Sequence, residues 1–400
     1  MSLVIPNKNN RNTIGVLWHN RQIRKDVFMD RIVNVGIIGC GGIAGGKHMP
    51  SLKKLPNVRM VAFCDIIREK AEKAAKEFGT PDAKVYTDYK ELLKDESIEV
   101  VHVLTPNREH ADISIDALYA GKHVMCEKPM AKTAADALRM CEAAEATGKK
   151  LTIGYQSRYT ANSMYAKEFI ESGAMGEIYY ANDYALRRRA TPNWGVFLDE
   201  EAQGGGPVID IATHALDLTL YLMNNYEPKL VVGKTHKKLE HPEAGNIWGD
   251  KGVSDTPLEE AACGMIVMKN GATILLETSW ALNIADPREA VCTLCGSKAG
   301  IDFKDGKLRI NKVELNRQVL TEVDTSAGGV AFYDGVSMSA PEVEARQWID
   351  AVINDTQPTV LPRQALVVSQ ILEAIYTSSK TGKPVYFEES SSMRIMACPC

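Results

Sequence analysis

The segment Gly39-Cys40-Gly41-Gly42-Ile43-Ala44 constrains this chain more than any other. It follows an apolar run of strand length, Ile32 to Ile38, and leads into a stretch with helical spacing. A strand that turns on glycine into a helix has a specific use. Gly39 makes the tight turn, Gly41 removes the Cβ that would hold backbone away from a ligand, and the small Ala44 lets helix pack on strand. The unpaired N–H groups of the helix start, including Gly42 and Ile43, then form a cradle for a diphosphate. A second apolar run, Val58 to Cys64, ends at Asp65, 21 residues beyond Ala44. A carboxylate at that place accepts hydrogen bonds from the ribose hydroxyls of an adenine dinucleotide and repels a 2′-phosphate. NAD is therefore the expected cofactor, while Arg68, three residues on, keeps NADP open.

The pattern that begins with this turn continues to about Lys150. Strand-length apolar runs (Ile32 to Ile38, Val58 to Cys64, Ile98 to Leu104, His123 to Cys126) alternate with helical segments (Arg68 to Phe78, His110 to Ala120, Thr133 to Thr147). Gly79, Gly121 and Gly148 stand where helix C-termini favour glycine. Alternation of this kind predicts parallel βαβ units, hence a doubly wound Rossmann sheet over residues 32–150. After Leu151 the pattern changes. A helical stretch, Ala161 to Ser172, and a glycine turn precede a strand-like run from Ile178, a glycine cluster opens another helix, and strands follow one another from about Lys229 to Val323 without helices between them. Strands without crossovers predict a large, mainly antiparallel sheet, so residues 151–387 are expected to be an α+β substrate-binding and oligomerisation domain. Two more helical patterns, Ala340 to Asn354 and Pro362 to Ser379, close it. Residues 1–31 carry six Lys or Arg and no acid before Asp26, and are read as an appended arm or leader; 388–400 are read as a tail.

Composition narrows the function. Lys+Arg 47 against Asp+Glu 51 leaves a net charge of -4, too small and too evenly mixed to mark a nucleic-acid or membrane surface. No run approaches the 18 or so apolar residues of a membrane span, and no secretory apolar core is present, so a cytoplasmic location is expected. The 9 cysteines are scattered singly, which fits a reducing compartment. Cys292 and Cys295 lie three apart in a strand-like run and thus on opposite faces, so no metal site is expected. A small-molecule enzyme remains the default.

Two further clusters follow strands of the first domain, at the carboxyl ends where open α/β sheets bind ligands. These are Thr105-Pro106-Asn107 with His110, and Glu127-Lys128-Pro129. In the second domain, Gly204-Gly205-Gly206-Pro207 opens a helix that carries Asp210 and His214. Four residues apart, these two share a helix face, where a hydrogen bond would fix the imidazole tautomer and raise its pKa. The other reading of the pair is a helix-start carboxylate beside a core histidine. Tyr155, Arg158, Arg187 and Trp194 are weaker candidates for substrate contact, set against the alternative that Trp194 packs in the core and the arginines are solvated. His48 and His102 read as structural.

With these residues in hand, the sequence resembles the glucose-fructose oxidoreductase and inositol dehydrogenase family (Gfo/Idh/MocA) from about Ile32 to Phe387. The resemblance rests on Gly39 to Ala44, Thr105-Pro106-Asn107 with His110, Ala120-Gly121-Lys122-His123 leading to Glu127-Lys128-Pro129, the Asp210 to Asp217 helix, and Ser378-Ser379-Lys380-Thr381-Gly382-Lys383. It implies that Lys128, Asp210 and His214 form the catalytic constellation and that Thr105, Asn107, His110, Glu127 and Lys128 border the cofactor. It also implies a sugar, cyclitol or related polyol as substrate, and a homodimer or homotetramer built on the outer face of the second sheet. Within that resemblance His214 is the expected acid/base. Two other functions stay open at this point: an enzyme that uses tightly bound NAD for transient oxidation, and a non-catalytic, dinucleotide-sensing regulator on the same scaffold.

Overall fold

The computed structural model describes residues 31–325 and 338–387; most of the expected arm and the tail lie outside them. Six strands form the first sheet: β1 (Val33–Ile38), β2 (Val58–Cys64), β3 (Lys84–Tyr86), β4 (Val100–Val103), β5 (His123–Cys126) and β6 (Leu151–Ile153). They are all parallel, in the order β3-β2-β1-β4-β5-β6. This is the doubly wound order, with its switch point between β1 and β4. The helices that cross over include α1 (Met49–Lys53), entered through a π-helical turn at Ala44–His48, then α2 (Arg68–Phe78), α3 (Tyr89–Leu93), α4 (His110–Tyr119) and α5 (Ala134–Thr147). Because β6 pairs with β5, the first sheet reaches Ile153, three residues past the expected boundary.

The second sheet has nine strands. In the order they lie, they are β14 (Arg317–Val323), β13 (Lys307–Glu314), β12 (Ala299–Lys304), β11 (Arg288–Gly296), β7 (Ile178–Leu186), β10 (Thr273–Ser279), β9 (Ala261–Met268), β8 (Pro228–His236) and β15 (Val385–Tyr386). All neighbours are antiparallel except β7 and β10, which run parallel. One face is covered by α6 (Ala161–Glu171), α8 (Thr213–Met223) and α10 (Pro362–Thr381), with the short α7 (Glu200–Gln203) beside the glycine cluster. The core is continuous across the two domains: Val103, Val124 and Met130 of the first pack in one cluster with Ile209, Leu216 and Ile371 of the second. The helix α9 (Ala340–Ile353), expected in the second domain, instead returns to the first, where Trp348, Ile349 and Val352 pack against Val33, Leu52 and Met60.

Glycine serves two different purposes here. Gly148 ends α5 in the left-handed region at φ 65°, as expected of a helix C-terminus. Gly79 does not, since its φ of -76° is open to any residue; its requirement is room, because an added Cβ would lie 2.8 Å from the Ala83 Cβ and 2.9 Å from the Phe63 ring. Among the described residues, no helix is long and apolar enough to cross a membrane.

Candidate active site

The segments after β4 and β5 meet the start of the second-domain helix, and the ends of β1 and β2 lie along the same edge of the sheet. At the end of β1 the chain turns on Gly39 with φ 90°, and an added Cβ there would sit 2.5 Å from the Leu104 carbonyl oxygen. Only glycine fits. At Gly41 and Gly42, by contrast, an added Cβ would project into open space with nothing within 4 Å. Asp65, at the end of β2, is pinned in place: Oδ2 accepts from the Cys40 N–H at 2.9 Å and Oδ1 from the Ile67 N–H at 2.9 Å. Its free lone pairs remain for ribose hydroxyls. Arg68 is held in an ion pair with Glu72 at 2.8 Å. Thr105, at the end of β4, carries a buried hydroxyl without a protein partner. An open backbone cradle, a fixed carboxylate and an orphaned hydroxyl together fit an adenine dinucleotide along this edge.

His110 and Asn107, expected to border the cofactor, spend their side chains on joining loops. His110 is buried with Nδ1 2.8 Å from the Pro129 carbonyl and Nε2 2.9 Å from the Thr105 carbonyl, so it ties the β4 loop to the β5 loop. Burial lowers its pKa. Asn107 donates from Nδ2 to the Gln203 carbonyl at 3.0 Å and thereby bridges the two domains. Glu127 also turns inward. It is 5% exposed, takes His48 Nε2 at 2.7 Å on Oε1, and accepts the Lys128 N–H at 2.9 Å on Oε2. Burial opposes its charge, but the hydrogen bond from His48 and the charges of His48 and Lys128 outweigh that and hold the carboxyl at about 2. An added Cβ at Gly154 would lie 3.3 Å from this carboxylate, so the close approach depends on glycine. His48, read as structural in the sequence, thus braces the turn that carries Lys128.

Lys128 reaches across the domain boundary. Its Nζ donates to Asp210 Oδ1 at 3.0 Å and to the Asp210 carbonyl at 2.9 Å. Asp210 sits in a π-helical turn, Val208–Ala212, that precedes α8; such widened turns recur at functional sites. Its other oxygen accepts the indole N–H of Trp280 at 2.9 Å and lies 3.7 Å from Arg187 Nη1. Burial works against the Asp210 charge, but the two cations prevail and keep it below the ordinary carboxylate range. The N-terminal side of the turn is held by Glu259, which accepts the Gly206 N–H at 3.0 Å and the Tyr376 hydroxyl at 2.7 Å.

The expected Asp210–His214 hydrogen bond is absent because Asp210 is spent on Lys128, Trp280 and Arg187. Among the described residues neither ring nitrogen of His214 has a hydrogen-bond partner. Its pKa goes down rather than up: burial, then the Lys128 charge, lower it to about 3. The imidazole is therefore neutral, with a lone pair to offer.

The four weaker candidates separate clearly. Arg158 is not a substrate ligand: its side chain is fully buried, bidentate to Asp217 at 2.6 and 2.8 Å, and bonded to the Thr359 carbonyl at 3.0 Å and Gln364 Oε1 at 2.8 Å. Tyr155 is buried as well, its hydroxyl 3.1 Å from Thr213 Oγ1. Trp194, in contrast, is 49% exposed and packs edge-to-face on Trp248, with ring centroids 4.8 Å apart. Arg187 stacks over Trp248 at 5.3 Å and pairs with Glu289. Trp248, Trp280 and Glu259 were not anticipated, because nothing local announces a partner that lies far along the chain. A lone indole N–H that must be satisfied when buried is the only hint at Trp280.

Known proteins resemble the chain along most of its length. Residues 33–155 match an oxidoreductase family with an NAD-binding Rossmann fold, and 167–387 match the C-terminal α/β domain of the same family. D-glucoside 3-dehydrogenase of Escherichia coli (strain K12) is 31% identical over 366 residues, covering 90% of this chain and 99% of that protein. Inositol 2-dehydrogenase of Salmonella typhimurium is 40% identical over 194 residues, 48% of this chain and 55% of that protein. Among solved structures, levoglucosan dehydrogenase in complex with NADH and levoglucosan superposes with a TM-score of 0.77 at 23% identity, covering 89% of this chain and 99% of that one. Both halves of the chain, and the dinucleotide edge between them, therefore identify it as an NAD-dependent oxidoreductase of the glucose-fructose oxidoreductase and inositol dehydrogenase family.

Proposed function

We propose that this protein oxidises a secondary hydroxyl of a pyranose sugar or related polyol, with Lys128, Asp210 and His214 as the catalytic residues. The observation that carries the reading is the contact between Lys128 Nζ and Asp210 across the domain boundary, close enough to His214 for the Lys128 charge to depress its pKa, with no partner for the ring nitrogens among the described residues. Bound NAD supplies the electron acceptor. Its diphosphate fits the backbone of Gly39, Gly41, Gly42 and Ile43, and its adenosine ribose fits Asp65, where a carboxylate beside an Arg68 already paired with Glu72 favours NAD over NADP.

Each group then has one task. The Lys128 ammonium donates a hydrogen bond to the substrate oxygen and stabilises the negative charge that develops there. His214, neutral at its depressed pKa, takes the hydroxyl proton on a ring nitrogen in the oxidation and returns it in the reverse direction. Asp210, itself fixed by Trp280, aims Lys128. Arg187, 3.7 Å from Asp210, would offer guanidinium N–H groups to a second substrate oxygen. The names of the relatives, dehydrogenases of D-glucoside, inositol and levoglucosan, support a polyhydroxylated ring as substrate.

The test is initial-rate measurement with NAD and a panel of glucosides, inositols and anhydrosugars, followed at the absorbance of reduced nicotinamide from pH 5 to 10. At least one cyclic polyol should be oxidised. An ordinary histidine base would impose a decline in kcat/KM below about pH 6.5; with the pKa near 3 that limb should lie below pH 5. Activity on acyclic aldehydes alone, or none with any polyol, would end the proposal. We further infer that the chain is a homodimer or homotetramer through the outer face of the second sheet, where the cross-strand neighbours Val232 and Met265 are 37% and 39% exposed. A monomer in sedimentation equilibrium at micromolar concentration would contradict this.

A further inference from the structure

One exposed feature near Asp210 is not used by the reaction. The segment between β8 and β9 is fastened to the segment after β7 by a row of hydrogen bonds. Ile247 N–H donates to the Arg189 carbonyl at 3.0 Å, and the Asn246 side chain pairs with both N–H and carbonyl of Thr191 at 2.8 and 3.0 Å. The Asn193 side chain donates to the carbonyls of Trp248 and Gly249 at 3.0 and 3.1 Å. This lacing displays two indoles side by side. Trp194 rests on Phe197, with centroids 5.4 Å apart, and on Trp248 at 4.8 Å with the rings at 89°, yet the two tryptophans stay 49% and 40% exposed.

Paired indoles left in water cost hydration free energy, and a rigid exposed aromatic patch marks a binding surface. Its position specifies the ligand. The Arg187 guanidinium stacks over Trp248 at 5.3 Å and lies 3.7 Å from Asp210, so the platform begins beside the reacting groups and leads away from them. A single ring held at Asp210 and Lys128 would leave the indoles bare. A ligand that covers both has a second ring attached to the first.

We propose that Trp194 and Trp248 form a subsite for the substituent of a glycoside, so that the preferred substrate is a pyranose carrying a second sugar or a ring-shaped aglycone rather than a free monosaccharide or cyclitol. The axial C–H face of the second ring stacks on indole, and its hydroxyls stay in water. This deepens the function proposed above and rests on it.

The experiment compares cellobiose with methyl β-D-glucopyranoside, which share a reacting ring but not a second one, in the wild type and in Trp194→Ala, Trp248→Ala and Trp248→Phe. The wild type should favour cellobiose by about tenfold or more in kcat/KM, mostly through KM. In both alanine variants the ratio should fall to about one, with Trp248→Phe between. An independent reading comes from quenching of indole fluorescence in NAD-loaded His214→Ala: cellobiose should saturate at lower concentration than the methyl glucoside, and the difference should vanish when Trp248→Ala is added. Tighter cellobiose binding with no NAD reduction by any sugar would remove the proposed reaction and leave the subsite standing. NAD reduction with equal preference for both sugars, or a preference that survives both alanine variants, would overturn the subsite.

Discussion

Lys128→Met and His214→Ala should each lower kcat by roughly 10²–10⁴, the range expected for loss of an electrostatic stabiliser or a general acid/base, while the Kd for NAD stays within about threefold. The two variants fail for different reasons. Lys128→Met removes the ammonium held at Asp210, and Asp210 keeps Trp280 and Arg187, so the local fold survives. His214→Ala is cleaner still. No hydrogen bond to the ring from the described residues is lost, and the Lys128–Asp210 contact is untouched. A loss of turnover in His214→Ala therefore reports on proton transfer rather than on a collapsed site. Stopped-flow measurement of NAD reduction, with fluorescence titration of NAD, checks both halves; turnover within tenfold of wild type in either variant would remove that residue from the mechanism.

Arg158→Met should cost roughly 3–5 kcal/mol of stability, the largest structural effect expected from any single substitution named above, because it strands a buried carboxylate. The Arg158 guanidinium satisfies both oxygens of Asp217, the Thr359 carbonyl and Gln364, and lies 4.6 Å from the Tyr221 ring centroid. Neither side chain of the pair is exposed at all. Burial disfavours the arginine charge, but Asp217 more than compensates and pushes its pKa further up. Removing both partners, in Arg158→Met with Asp217→Leu, should recover part of the loss, since no unpaired charge remains. Urea titration measures this. A single variant within 1 kcal/mol or so of wild type would contradict the structural role, and an Arg158→Met protein that is fully folded but has a greatly raised KM would return Arg158 to the substrate site.

Arg158 also shows where reading the sequence stops short. Its place at the start of the second domain made it a candidate for substrate contact. Which way the side chain points depends on Asp217, 59 residues on, and nothing local encodes the choice. The same reason explains His48, whose partner Glu127 is 79 residues away, and Trp280, whose partner Asp210 is 70 away. Elements long enough to carry a period were legible: Arg68–Phe78 and Val58–Cys64 fall on the residues expected. The short β3, α3 and β6 were not, because three to five residues display no period. The parallel pairing of β7 with β10 was equally hidden, as an unbroken succession of strands suggests only antiparallel neighbours. At the site, the glycine turn and Asp65 could be derived from their spacing alone, since a dinucleotide edge is built from consecutive segments. The meeting of Lys128 with Asp210 could not; it came from the family resemblance. The expected rise in the His214 pKa failed because helical spacing put a carboxylate within reach but said nothing of the burial of the ring, of the Lys128 charge near it, or of the groups that occupy Asp210.

In the proposed reaction, side chains from two domains act as a unit. A double-mutant cycle on kcat/KM between Lys128→Met and Asp210→Asn tests it most directly. Groups that act together are not additive, so the double variant should be no slower than the slower single, with a coupling of about 1–3 kcal/mol. If the two losses simply multiply, the 3.0 Å contact between them has no part in catalysis.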